Sequence, residues 1–161
     1  MLLLRTFVLL GLASLAACLN TQPLAYAMEA SDDVRRVLDD FHAAAAEADF
    51  ERYFGHFADG AVFVGTDASE HWDVDEFRAY AEPHFEGDSA WTYVPERRRL
   101  HLDGRGWCSF EEELEHATYG AMRGTGLLVR EDGHWRIAQY VLSFPIPNEH
   151  AAEVVALITG D

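Results

Sequence analysis

The sequence predicts an α+β domain, with helices first and a curved antiparallel sheet after them. Apolar residues recur at helical spacing up to about residue 81, and from about residue 90 the period switches to two. Asp103-Gly104 and Asp132-Gly133 supply hairpin turn signals between the strand candidates. Helices followed by an antiparallel meander make an α+β chain. Its 161 residues suit one domain.

Ser31, followed by Asp32 and Asp33, reads as a helix start, with a capping hydroxyl and two acids against the positive end of the dipole. Val34, Val37, Leu38, Phe41, Ala45 and Ala48 then form one apolar face. Asp49 caps a second helix with Phe50, Tyr53, Phe54 and Phe57 on its apolar side, stopped by Asp59-Gly60. Residues 61–65 read as a short buried strand, and 66–72 as a polar loop. Asp73 and Glu76 open a third helix through about residue 81, which Pro83 ends. The long strands are predicted over 90–102, 107–115, 119–130 and 135–144. Pro95 marks the first as an edge or a bulge. Gly120, Gly124 and Gly126 alternate along the third, where missing side chains permit curvature. Residues 150–161 form a tail or a short helix.

Composition narrows the function classes. Hydrophobic residues make up 49% and aromatics 12%, enough for an ordinary core. Acids outnumber bases 28 to 12, for a net charge of −16, and every base is arginine. A nucleic acid or an anionic bilayer surface would repel such a chain, so neither is an expected partner. Two cysteines, Cys18 and Cys108, exclude a disulfide framework and a thiolate cluster.

Residues 1–17 carry Arg5 and then an apolar run of about eleven residues, too short to span a bilayer but long enough for a signal-peptide core. The run ends in Leu15-Ala16-Ala17-Cys18, which resembles a bacterial lipobox. On that reading Cys18 is acylated, residues 18–30 are a tether, and the protein is an envelope lipoprotein held to the membrane only through its lipid. Cleavage after Ala25-Tyr26-Ala27 would instead release a secreted or periplasmic protein, and translation from Met28 would leave it cytoplasmic.

Local motifs run along the rest of the chain: Phe57-Ala58-Asp59-Gly60-Ala61-Val62-Phe63, Gly65-Thr66-Asp67, Glu70-His71-Trp72, Arg123-Gly124-Thr125-Gly126 and Gly133-His134-Trp135-Arg136-Ile137. With the element order they resemble the SnoaL-like branch of the nuclear transport factor 2-like superfamily, over residues 31–149. The resemblance implies a cone-shaped curved sheet closed by three N-terminal helices around a pocket. It also implies that a homodimer through the open sheet face is to be considered. It does not imply one activity, since members include isomerases, cyclases, hydrolases and noncatalytic proteins. Steroid isomerases of this superfamily use a helix Tyr, an Asp after the first strand and a protonated sheet Asp. Matching the Phe-Ala-Asp motif puts Phe41 and Gly65 at the first two positions, and no acid falls at the third.

Two carboxylates stand as candidate bases, Glu112 and Asp67. Strand alternation puts Glu112 on a face with Cys108, Phe110 and Leu114, so it interrupts an apolar surface. The same alternation puts Tyr119 and Arg123 on one face of the next strand, and Gln139 on the last. If these faces point inward, Glu112 and Arg123 are natural partners, because buried charge is tolerated when paired. The pair then forms either a ligand-binding polar floor or a closed salt bridge, and pairing holds the Glu ionised. Asp67, on a polar loop, is a substitute base or a capping Asp. The candidate ligand-binding set is Tyr53, Trp72, Tyr119, Arg123 and Gln139. Eight scattered histidines show no His-Glu-x-x-His motif, and no metal or cofactor is expected. Arg97-Arg98-Arg99 reads as a surface row with at most Arg97 and Arg99 on one face. The expected function is binding of a small apolar or amphipathic molecule in the cone; the alternative is an acid/base enzyme of cyclase, isomerase or hydrolase type.

Overall fold

A computed structural model describes residues 22–160. The signal-peptide candidate, Cys18 and the first tether residues lie outside the described residues. Among those described, no helix is long and apolar enough to cross a membrane.

Helix α1 (Gln22–Ala46) begins nine residues before the expected start. Ser31, Asp32 and Asp33 are therefore inside the helix rather than at its cap. The reason is packing: Ala30 lies one turn before Val34 on the same face, and both are buried with Leu38, Phe41 and Ala45. That stripe extends past the polar triplet, so Ala30, expected as the last residue of the tether, joins the core. Two residues past the helix end, Ala48 takes φ +53°. Asp49 N–H bonds Ala44 O at 2.8 Å and Ala48 N–H bonds Ala45 O at 3.2 Å, a Schellman ending without its usual glycine. Asp49 then caps the single turn α2 (Phe50–Phe54), its side chain accepting from Arg52 N–H at 3.2 Å.

Strand β1 (Phe57–Val64) includes Asp59-Gly60, expected as a stop. Gly60, at φ +69°, instead sits within a register break between Phe57 and Val62, so the strand bulges and continues. A short β2 (His71–Asp73) pairs back on β1 where a loop was expected. Helix α3 (Val74–Ala81) opens on the predicted capping box: Asp73 accepts from Asp75 and Glu76 N–H, while Glu76 accepts from Asp73 N–H. A 3-10 turn, Glu82–Phe85, takes up Pro83.

The meander follows as β3 (Val94–Leu102), β4 (Trp107–His116), β5 (Gly120–Glu131) and β6 (His134–Ser143). The strand order is β2-β1-β6-β5-β4-β3. Pro95 lies on an edge strand and beside a register shift, which spares the ladder its missing N–H. Asp132 and Gly133 both have positive φ, as a two-residue primed turn requires. The sheet is mixed, not wholly antiparallel, because β1 runs parallel to β6. Only strands joined by tight turns must be antiparallel, and β1 is separated from β6 by the whole meander. Helices α1 to α3 cover the concave face, and the core lies between them. Helix α4 (Ala151–Thr159) closes the chain with Leu157 and Ile158 exposed.

Candidate functional site

Which side chains enter the cone depends on strand parity. On β4 the inward residues are Cys108, Phe110, Glu112 and Leu114, as expected. On β5 they are Met122, Gly124 and Leu128, one residue out of phase with the expected face. Arg123 accordingly lies on the outer face. On β6, Trp135 and Ile137 point inward, and a register shift between Leu127 and Leu128 then exchanges the faces. Tyr140 and Leu142 are the inward residues beyond it, and Gln139 is exposed. A pairing of Glu112 with Arg123 does not form.

Glu112 is fully buried and its partner is Arg98. Arg98 Nε donates to Oε1 at 2.7 Å, and Nη2 lies 2.6 Å from the same oxygen. His42 Nε2 is 2.9 Å from Oε2, and the Tyr140 hydroxyl donates to that oxygen at 3.1 Å. Because an ionised carboxylate only accepts, His42 carries its proton on Nε2. Arg98 continues outward to Asp39 at 2.7 Å and the Arg35 carbonyl at 3.2 Å. The network ties α1 to β3, β4 and β6. Burial pushes the Glu112 carboxyl upward, but the bond from His42 and the charges of His42 and Arg98 outweigh it, holding the group below its ordinary range. Gly124 makes the arrangement possible: a Cβ there would collide with the Tyr140 hydroxyl. Its glycine serves this close approach as well as curvature. Glu112 is held ionised and saturated by donors, the opposite of what a base working near neutrality needs.

Sequence reasoning found Glu112 but not its partners Arg98, His42 and Tyr140. The readable signal was register: in an antiparallel pair the middle arginine of the triplet faces Glu112 directly. Arg97 and Arg99 lie on the outer face beside Glu113 and Glu111.

An aromatic cavity of about 330 Å³ lies elsewhere, lined by residues of β1, β2, α3 and the adjoining parts of β4, β5 and β6. One wall is a stack of aromatic rings from β1, β2 and α3. Phe63 and Phe77 lie 3.9 Å apart and nearly parallel, while Trp72 and Tyr80 lie 4.5 Å apart. The facing wall is Tyr93, His116 and Tyr119, with His116 stacked on Tyr119 at 4.7 Å. Met122 and Leu142 contribute apolar surface. His116 Nδ1 accepts backbone N–H bonds from Thr118 at 3.1 Å and Tyr119 at 3.2 Å, which fixes the ring against the turn. Burial, with the neighbouring Tyr119 and Glu70, pushes the Tyr93 hydroxyl up to about 12, which keeps it a donor.

Glu70 brings a carboxylate to this cavity. Its Oε2 accepts from Asp67 N–H at 3.1 Å, and the carboxylate lies over Gly65, where a Cβ would collide with it. Asp67 itself is exposed and accepts from Ser69 N–H at 2.8 Å and Ser69 Oγ at 2.5 Å. Those bonds hold its carboxyl below the usual range, in a capping geometry. Of the candidate ligand-binding set, Trp72 and Tyr119 line the cavity. Tyr53 is buried, stacked on Phe41 at 4.5 Å and hydrogen-bonded to Trp91. Arg123 and Gln139 face outward. Cys108 is fully buried, which pushes its thiol up to about 11 and leaves it a poor nucleophile. Among the described residues, no cluster of His, Cys, Asp and Glu has the geometry to hold a metal ion.

A curved mixed sheet of six strands packed by helices defines the class as nuclear transport factor 2-like, or cystatin-like, α+β proteins. The SnoaL-like domain family matches residues 34–147, and the chain belongs to that family. Its fold is similar to that of a nuclear transport factor 2-like protein of unknown function from Pseudomonas putida, at 16% identity and TM-score 0.64, covering 76% of this chain and 91% of that one. A Mycobacterium tuberculosis protein of unknown function is similar at 16% identity and TM-score 0.63, covering 87% and 90%. A Novosphingobium aromaticivorans protein described as a candidate aromatic ring hydroxylase is similar at 14% identity and TM-score 0.64, covering 74% and 92%. No functionally curated protein matches.

Proposed function

We propose that this SnoaL-like protein binds a small, largely apolar organic molecule between the two aromatic walls of its cone. The observation that carries this reading is the cavity of about 330 Å³, lined by stacked rings with a few polar groups among them. The rings supply apolar surface, and the Tyr93 hydroxyl and Glu70 carboxylate supply orientation. The placement of the candidate bases also supports binding over acid/base catalysis. Glu112 is closed off by Arg98, His42 and Tyr140, and Asp67 is engaged by Ser69 outside the cavity.

The lipobox-like sequence motivates a second element of the proposal: export and acylation at Cys18. Mass spectrometry of protein purified from its own host tests both. Under native conditions a reproducible extra small-molecule mass is expected, and clean apo-protein in every preparation would count against a retained ligand. The denatured mass should begin at Cys18 with a lipid adduct that is absent from Cys18→Ala; an unmodified chain starting elsewhere would overturn acylation. The native mass also reports whether the protein is a homodimer.

A further inference from the structure

We propose that the cavity is built for an organic cation, an ammonium group carried on an apolar or aromatic frame. The inference rests on the small-molecule reading above and names the ligand's class. Its first support is charge. Glu70 is the one carboxylate lining the cavity, no arginine lines it, and the chain contains no lysine. His116 turns its Nδ1 to the backbone as an acceptor. Glu70 has one hydrogen bond, from Asp67 N–H, and no ion-pair partner among the described residues. A neutral ligand that displaced water from the cavity would leave this carboxylate desolvated without a counter-charge. An anion would meet it directly.

The second support is the rings. Trp72, Tyr80, Trp91 and Tyr93 line the same cavity. The face of an aromatic ring carries negative electrostatic potential and attracts ammonium groups. Glu70 lines that cavity together with rings from both walls. Gly65 is the third support. Without a side chain there, the Glu70 carboxylate folds over the backbone and is held at the cavity by Asp67. An aromatic lining without arginine, and a carboxylate with no ion-pair partner among the described residues, together favour positive charge.

Three ligands on one frame separate the outcomes: 3-phenylpropylamine, 3-phenylpropanol and 3-phenylpropanoate, titrated calorimetrically into the full-length protein at pH 7. The amine is expected to bind about 10-fold tighter than the alcohol, and the propanoate most weakly. Glu70→Gln, which keeps the acceptor for Asp67 N–H, should erase the amine's advantage by weakening the amine while the alcohol binds at least as tightly as before. An alcohol that binds as tightly as the amine would overturn the cation inference and leave the binding reading standing. So would a preference for the amine that survives Glu70→Gln. If none of the three binds, both readings fall.

Discussion

At the scale of single residues, Glu112 and Arg123 make opposite predictions although both were candidates for one buried pair. Removing one partner of a buried ion pair leaves the other charge uncompensated, which costs about 3–5 kcal/mol. Glu112→Ala should therefore lower the unfolding free energy by about that much, because Arg98, His42 and Tyr140 all lose their acceptor. Arg123→Ala, on the exposed outer face, should change it by no more than about 0.5 kcal/mol. Urea unfolding of both variants distinguishes them, and equal losses would contradict the assignment of Arg98 as the partner. Sequence reasoning found Glu112 from its apolar strand neighbours. It missed the partner because a face of β5 read one residue out of phase looks equally amphipathic: Tyr119, Ala121, Thr125 and Leu127 fit an inward set as well as Met122 and Leu128 do.

At the scale of elements, the ending of α1 holds a local conflict. Ala48 adopts a left-handed conformation that disfavours any residue with a Cβ, and the Schellman bonds hold it there. Ala48→Gly should relieve that conflict and raise stability by about 0.5–1 kcal/mol, less than the full conformational gain because a partly buried methyl is lost and the unfolded chain becomes freer. A thermal melt checks it; a lower Tm would mean that the methyl's packing outweighs the backbone. Other element features were legible because their signals are local. The Asp73–Glu76 capping box, the Asp132-Gly133 turn and the Pro95 bulge each follow from residues a few positions apart. The start of α1 was not, since a polar triplet that resembles a cap is overridden by Ala30 and Val34 packing on the sheet.

At the scale of the molecule, native ionisation links stability to pH. His56 is packed between α1 and β6, and burial lowers its pKa below 6.5 even though Asp40 lies 2.9 Å from its Nε2. Between the lowered native value and 6.5, the unfolded chain binds a proton that the folded chain does not. Stability should therefore fall as pH drops below about 6.5. The carboxyls of Asp40 and Glu112 sit below their ordinary 3.8 and 4.5 in the folded state. Their contribution is present above those ordinary values and is lost as pH falls further, through the native ones. Tm measured from pH 8 to pH 4 should stay level at first and then decline from about 6.5. His56→Gln should flatten the upper part of that decline, and an unchanged slope in the variant would exclude His56 as its source.

The sequence by itself determined that this chain is an acidic α+β member of the SnoaL-like family. Periodicity, capping residues and turn pairs act over a few positions, and local interactions can be read from local order. It also singled out Glu112 as a charge on an apolar face, and Trp72 and Tyr119, which do line the cavity. Tertiary structure alone decided that Arg98 and not Arg123 neutralises Glu112, that Gln139 faces outward, and that Glu70 reaches the cavity over Gly65. The physical reason is that a strand's faces alternate with a period of two. A single bulge or a one-residue error in phase exchanges every side chain, and only the pairing of distant strands sets that phase.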